Sequence, residues 1–339
     1  MLQPQTSSFK TFLIKTLTAS IIAVFAFGFF NHAEALTISP ARVEITGDPG
    51  ATVGGEFTLI NEQSTDQTFY PSFENFTAQG ESGSPAFSAD PDGLDSWMSI
   101  PNKSVTIKPG EVLTVPYYIS IPKGTEPGGY FAAIFWSTTP PTAGSGDVSI
   151  GAKIGMLVLL TVNGNVRESA GITQFDRNGH GFFYETLPVT LRYKFHNAGG
   201  DRVQPKGTMT IRDTFFLPAD HIDANKVIGN ILPNSTRQFT VDWIKDVYAI
   251  PPQGFFANVG YEWHNFALGL YSAHINLAYG TKGLHAKGST WFFVFPWQLV
   301  ICIIVGLFII WRLGRIVITR YNRYIIGKAR ALQSDAKRP

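Results

Sequence analysis

The chain has 339 residues, enough for two domains that each bury a core. Charged residues are 15% and aromatics 14%, with 33 Gly and 21 Pro, a composition that suits many short strands joined by tight turns and sets all-β as the starting expectation. A formal net charge of +2, with the bases gathered near the C-terminus, argues against nucleic acid as a partner.

In chain order, Lys10 and Lys15 precede an apolar run from Leu17 to Phe30, and Ala33-Glu34-Ala35 has the small-x-small pattern that signal peptidase accepts. Residues 1–35 therefore read as a signal peptide, with Ala33 and Ala35 at the cleavage site; an uncleaved anchor is the alternative, because the apolar run is long. Strands are expected over about 36–46, 55–61, 67–77, 113–121, 130–136, 148–163, 187–195, 207–213 and 237–243. The clearest is the stretch in which Leu187, Val189, Leu191, Tyr193 and Phe195 alternate with Pro188, Thr190, Arg192, Lys194 and His196, the period of two for a strand with one buried face. Pro116 marks its own strand as an edge or a bulge. No helical periodicity is read before residue 291.

Three landmarks recur in the same order. Asn61 and Asn197 each close an apolar strand before a polar turn. Ile107-Lys108-Pro109-Gly110 is matched by Ile231-Leu232-Pro233-Asn234, and Pro127-Gly-Gly-Tyr-Phe-Ala by Pro252-Gln-Gly-Phe-Phe-Ala. Eighteen residues separate Pro109 from Pro127 and nineteen separate Pro233 from Pro252, so the chain reads as two copies of one unit. About seven strands per copy, with turn signals every 8 to 12 residues, predict tandem immunoglobulin-like sandwiches over 36–166 and 167–285. The glycines of Pro127-Gly128-Gly129 are then expected to relieve a tight turn into a core strand. A phosphate loop would need a helix and a Lys-Ser/Thr pair after them.

Residues 291–311, "WFFVFPWQLVICIIVGLFIIW", contain no charge and predict a single transmembrane helix. Arg312, Arg315, Arg320, Arg323, Lys328 and Arg330 follow at once, which places residues 312–339 in the cytoplasm and 36–285 outside. These bases alternate with Ile316, Ile318, Tyr321 and Tyr324, so the tail reads either as a helix in contact with the inner leaflet or as a stop-transfer signal followed by disordered chain. The one cysteine, Cys302, falls within the span, so the exported part contains no disulfide and no thiolate metal site.

The segments "ISPARVEITGDPGATVGGEFTLIN", "SVTIKPGEVLTVPYYISIPKGTEPGGYFAAIFW" and "ILPNSTRQFTVDW", followed by a span and a basic tail, resemble the WxL-interacting surface proteins of bacteria. The resemblance implies a first sandwich that binds peptidoglycan, a second that binds an exported surface protein, and a membrane anchor. It assigns no binding residue, and the long basic tail departs from it.

The chemistry-bearing residues point to binding and not to catalysis. The histidines beyond the leader, His180, His196, His221, His264, His274 and His285, form no HExxH, and no GxSxG elbow is present. Glu262-Trp263-His264 reads as a solvated pair on a strand. Asp90, Asp92 and Asp95 around Gly93 partly resemble a calcium loop without its distal glutamate, and an Asx turn leading into a strand at Trp97 is the preferred reading. No cofactor is expected. The chain thus reads as a non-enzymatic, single-pass cell-surface binding protein; an accessory or stalk subunit of a membrane complex is the alternative, and an exported hydrolase a second one. Protease added to intact cells is expected to destroy an epitope placed within residues 36–285 and to spare one at residue 335; protection of both overturns the export reading.

Overall fold

The computed structural model describes residues 36–88, 92–140, 153–178, 181–245 and 252–335, with the side chains of the last helix described to Lys328. Ala33, Ala35, Asp90, the expected strand residues 148–152 and the side chain of Arg330 lie outside the described residues.

The first sandwich comprises β1 (Leu36–Ser39), β2 (Arg42–Gly47), β3 (Thr52–Asn61), β4 (Gln67–Gln79), β5 (Ser84–Ser88), the one-turn helix α1 (Leu94–Trp97), β6 (Met98–Ser99), β7 (Val105–Ile107), β8 (Val112–Ser120), β9 (Gly128–Ser137) and β10 (Lys153–Val162). One sheet has the order β1-β3-β8-β6 and the other β2-β10-β9-β4-β5, with β7 beside β4. The second sandwich comprises β11 (Ala170–Arg177), β12 (Phe183–Tyr184), β13 (Val189–Asn197), β14 (Lys206–Arg212), β15 (Pro218–Asp223), β16 (Ser235–Trp243), helix α2 (Phe255–His264), β17 (Gly269–Tyr279) and β18 (Leu284–Val294). Its sheets are ordered β11-β13-β16 and β12-β18-β17-β14-β15. Helix α3 (Trp297–Asp335) follows.

The strand orders superpose term by term. In both copies the first strand breaks and changes sheet: β1 pairs antiparallel with β3 and then β2 runs parallel to β10, just as β11 pairs with β13 and β12 runs parallel to β18. Each copy is an immunoglobulin-like sandwich, with β6, β7 and α1 added to the first and α2 to the second. Each interior is filled by alternating side chains. Leu187, Val189, Leu191, Tyr193 and Phe195 are all fully buried, and each such residue contributes about 1.5–3 kcal/mol of apolar burial. Pro116 sits on β8 opposite Glu56, where β6, paired only to residues 118 and 119, leaves the other side of β8 open, so its missing N–H costs no ladder bond.

Two of the three repeat landmarks have one physical basis. Asn61 and Asn197 are fully buried, and each amide bonds the same three backbone groups. Asn61 Nδ2 donates to the Thr65 and Ile107 carbonyls at 2.9 and 2.8 Å, and its Oδ1 accepts the Gln63 N–H. Asn197 Nδ2 donates to the Asp201 and Ile231 carbonyls at 2.8 and 3.0 Å, and its Oδ1 accepts the Gly199 N–H. Gly110 and Asn234, three residues after Ile107 and Ile231, both turn the chain through positive φ (69° and 54°), a conformation that Gly and Asn adopt most readily.

The third landmark is corrected. Pro127-Gly-Gly-Tyr-Phe-Ala enters strand β9, but Pro252-Gln-Gly-Phe-Phe-Ala opens helix α2, ahead of β17. Tertiary contacts decide this: Tyr261 and Glu262, adjacent on α2, are buried, the first donating to the Leu187 carbonyl of the sandwich and the second accepting from the start of α3. The expectation of no helix before residue 291 also fails at α1, where a helical turn stands in place of an extended entry into Trp97.

The apolar run at the C-terminus divides. Trp291 to Val294 finish β18, with Phe292 and Val294 buried in the second sandwich, and the helix begins only at Trp297, where the Pro296 carbonyl accepts the Val300 N–H. Alternation of buried and open side chains identifies these four residues as strand, a pattern masked because the open positions are also aromatic. From Trp297 the helix continues without a break through Arg312, Arg315, Arg320, Arg323 and Lys328, with most of its surface exposed. It is long and apolar enough to serve as a single-pass anchor.

Replacing Asn197 with Ala strands the Asp201 carbonyl and the Gly199 N–H and leaves the Ile231 carbonyl with the Val203 N–H alone, and is expected to cost about 1–3 kcal/mol per unsatisfied group that water cannot reach. The denaturant midpoint followed by fluorescence of Trp243, buried in the same core, reads the loss; a midpoint within error of wild type would remove the amide from the account.

Candidate binding cleft between the two sandwiches

The glycines of Pro127-Gly128-Gly129 lead into the core strand β9, as expected, and also serve the junction of the two sandwiches. A Cβ on Gly128 would lie 2.8 Å from the Gly200 carbonyl oxygen of the second sandwich, and one on Gly129 would lie 2.3 Å from Asp201 Oδ1. In their absence the Gly129 N–H donates to the Gly200 carbonyl at 2.9 Å. The polar turn after Asn197 therefore docks directly on the start of β9.

Around this contact the charges interlock. Arg202 Nη2 reaches Glu44 Oε2 on β2 at 3.2 Å and its Nη1 donates to Thr161 Oγ1 on β10 at 2.6 Å. Thr161 in turn donates to Asp201 at 2.8 Å, and Asn230 Nδ2 donates to the other Glu44 oxygen at 2.9 Å. Burial alone would raise the Glu44 pKa, but the Asn230 hydrogen bond and the Arg202 guanidinium outweigh it and hold the carboxyl below its ordinary value. On the other flank the turn between β4 and β5 covers the exposed edge of β16: the Glu81 carbonyl accepts the Gln238 N–H at 2.8 Å, and its carboxylate pairs with Lys194 at 2.7 Å. Between the flanks Leu232 is buried with Phe76 and Leu159, against Phe131 and Leu157, in a small apolar cluster shared by the two sandwiches. Leu232 occupies the repeat position that Lys108 fills in the first copy.

Beside the interlocked charges lies a cleft of about 650 Å³, open on one side. Its lining comes from three runs, Thr161 to Glu168, Asp201 to Gln204 with Lys206, and Ala278 to Lys282, together with Glu44 and Asn230. Its acids are occupied: Glu44 and Asp201 by Arg202, Thr161 and Asn230, and Glu168 by Thr281 and the Lys282 N–H. The Thr281 hydrogen bonds keep the Glu168 carboxyl below its usual pKa, hence ionised at neutral pH. Arg167 and Lys206 line the same space and form no ion pair among the described residues. The cleft is thus a polar recess whose lining includes cationic side chains.

The candidates drawn from motifs lie elsewhere. Asp95 holds Asn75, accepting its Nδ2 at 2.7 Å while its own N–H donates to Asn75 Oδ1, so it fixes α1 against β4. No group of three His, Cys, Asp or Glu side chains suited to a metal occurs among the described residues. Glu262 is not the solvated partner of His264: the histidine is exposed with Nδ1 on the Gly260 carbonyl, whereas the glutamate is buried and accepts the Leu299 N–H at 2.6 Å. Burial raises the Glu262 pKa, and the Leu299 and Gln298 amides offset part of that rise. Sequence reasoning missed the cleft, because its lining is gathered from β2, the end of β10 and the segment after it, the turn after Asn197 and the β17–β18 turn, which only the fold brings together; the junction beside it left one signal, Leu232 in place of Lys108, an apolar residue at a repeat position that is solvent-facing in the other copy.

The depressed Glu44 pKa gives the junction a pH dependence. A carboxyl whose folded pKa lies below its unfolded value contributes stability in full above the ordinary glutamate range and loses it as pH falls through the folded value. Wild type minus Glu44→Gln, measured as a difference in denaturant stability, is expected to be no more than about 1 kcal/mol at pH 7, since the pair is partly exposed, and to close below about pH 4. A difference independent of pH would show that the ion pair does not hold the junction.

No protein-family model matches the chain, and no curated protein matches it in sequence. Its fold is similar to solved structures of fimbrial chaperones. The class 5 fimbriae chaperone CfaA aligns at 10% identity and a TM-score of 0.38 over 76% of this chain and 99% of that one. The CsuC-CsuE chaperone-tip adhesion subunit pre-assembly complex of Acinetobacter baumannii aligns at 12% and 0.35 over 77% and 99%. A PapD-like domain of human CEP192 aligns at 15% and 0.27 over 38% and 84%. These superpositions are loose.

Proposed function

We propose that the chain is a membrane-tethered, extracytoplasmic binding protein whose inter-sandwich cleft receives an anionic segment of a cell-wall polymer or of another exported protein. The observation that carries this reading is the charge arrangement of the cleft: its carboxylates are consumed by internal partners, while Arg167 and Lys206 face the open space unpaired. The anchor supports the same reading, since α3 follows the second sandwich after only two residues and holds the pair at the surface of a bilayer. The resemblance to WxL-interacting surface proteins agrees with a non-enzymatic role facing the wall.

A photo-activated crosslinking residue in place of Gln204, which lines the cleft, tests this in living cells. It is expected to capture a discrete adduct that disappears when Arg167 and Lys206 are both changed to Gln, substitutions of surface residues that should leave stability within about 0.5 kcal/mol of wild type. Sensitivity of the adduct to a muramidase identifies a wall polymer, and sensitivity to protease identifies a protein. Adducts from Ile304 on α3 with none from the cleft would overturn the proposal in favour of an accessory subunit recognised through its span.

A further inference from the structure

The second sandwich has two unlike ends. The cleft lies at one; at the other, from which α3 leaves, large apolar side chains stand in the open. Phe256 is 83% exposed, Phe215 80%, Phe183 71% and Trp263 65%. They come from three elements: both ends of α2, the β14–β15 turn and β12. The strand register gathers them, because β12 pairs with the last residues of β18 and the β14–β15 turn bonds to Leu270 at the start of β17. Ring contacts link them to the last strand and to the anchor: Phe216 meets Trp291 of β18 at 6.1 Å, and Phe255, next to Phe256, meets Trp297 at the start of α3 at 6.0 Å. An aromatic patch drawn together from three elements is not scattered surface hydrophobicity and marks an interaction surface.

We propose that this rim is seated in the outer headgroup and acyl boundary of the membrane that α3 crosses. The occupant is lipid because the rim continues an interface already present. The uncharged part of α3, Trp297 to Trp311, rises only about 22 Å, while a hydrocarbon core is about 30 Å thick. Arg312 and Arg315 begin the charged tail at the inner end, so the remainder at the outer end falls to whatever surrounds Trp297, which is the rim. Its chemistry fits that depth, since Trp and Phe bodies with nearby cations are what the interface accepts. Three cations are fixed among the rings: Arg177 donates to the Trp291 carbonyl at 2.5 Å, Arg212 to the Phe216 carbonyl at 3.0 Å, and Lys245 to the Phe266 carbonyl. Of the neighbouring acids, Asp213 is occupied by the Phe215 and Leu217 amides, Glu262 is buried on α3, and Glu185 is exposed. The Glu262 bond also fixes α2 to the first turn of the anchor, so the rim and the span keep one orientation.

This inference rests on α3 being a span, and the test separates the two. The full chain with Cys302→Ser is reconstituted in bilayer discs, and single Phe256→Cys, Phe183→Cys, Val112→Cys and Ile304→Cys variants carry a nitroxide. Collision with oxygen reports lipid, and collision with a water-soluble nickel chelate reports water. The oxygen-to-nickel ratio at 256 and 183 is expected to be several-fold above that at Val112, an exposed position on the first sandwich, and to approach that at 304. Ratios at 256 and 183 equal to that at 112, with 304 lipid-like, would overturn the seated rim alone. Low collision with both reagents, with dipolar broadening between labels, would show a second copy covering the rim and would also overturn it. A water-like ratio at 304 would remove the span reading itself.

Discussion

The junction of the two sandwiches is organised by one buried amide, that of Asn197, together with the backbone bridge between Val203 and Ile231 beside it. The three hydrogen bonds of the amide hold together two segments about thirty residues apart in the chain, the turn from Gly199 to Arg202 and the segment at Ile231. Most of what touches the first sandwich lies on those two segments, with Lys194 and Gln238 reaching Glu81 from β13 and β16. Gly200 receives the Gly129 N–H, Asp201 and Arg202 engage Thr161 and Glu44, and Leu232, next to Ile231, enters the apolar cluster with Phe76. A side chain that satisfies buried backbone groups inside one domain therefore also sets the shape of the surface that domain offers to the other. An unsatisfied buried amide or carbonyl is costly enough that the arrangement has little freedom to relax.

Asn61 makes the same three bonds in the first copy, yet the turn it orders, Gln63 to Thr65, meets no third sandwich. The difference between the copies lies in what was added around a shared device. At the position equivalent to Leu232 the first copy has Lys108, a solvated side chain, and Gly110 completes a turn that Asn234 completes in the second copy. The second copy also carries α2 between β16 and β17, where the first has only the short approach to β9. That helix is what connects the sandwich to the anchor, through Tyr261 on one side and Glu262 on the other. Duplication supplied the sandwich, and small departures from the repeat supplied the junction and the tether.

The repeat was legible because its landmarks answer to local physics. An Asn that must bond its own turn and a Gly or Asn at positive φ leave one-letter traces at fixed spacing. Strands such as Val189–Asn197 were legible because one face is wholly buried and the alternation is undisturbed. The helix α2 was not, because nothing local demands it: Phe255 to His264 hold the helix through partners from Leu187 and Leu299, far away in sequence. The start of the span was misplaced for a related reason. In Trp291 to Val294 buried and open positions are both aromatic, so hydropathy could not separate the last strand of a sandwich from the first turns of a membrane helix. The cleft was illegible altogether, since its charged residues are ordinary surface types and only the fold shows which of them already have partners.

With the cleft at one end of the second sandwich and the rim at the other, strand β17 measures the distance between them. It runs from Gly269, beside the rim, to Tyr279, which lines the cleft, and at about 3.3 Å per residue it spans about 33 Å. With the rim seated as proposed, even a strand inclined by half a right angle to the membrane normal would lift the cleft by more than twice the Debye length, about 8 Å at physiological ionic strength. The field of anionic headgroups would then be screened out at the cleft, and a ligand there would meet only the cleft's own charge. On that proposal the second sandwich acts as an electrostatic spacer, because its length separates the cations held among the rim rings, Arg177, Arg212 and Lys245, from Arg167 and Lys206 at the cleft.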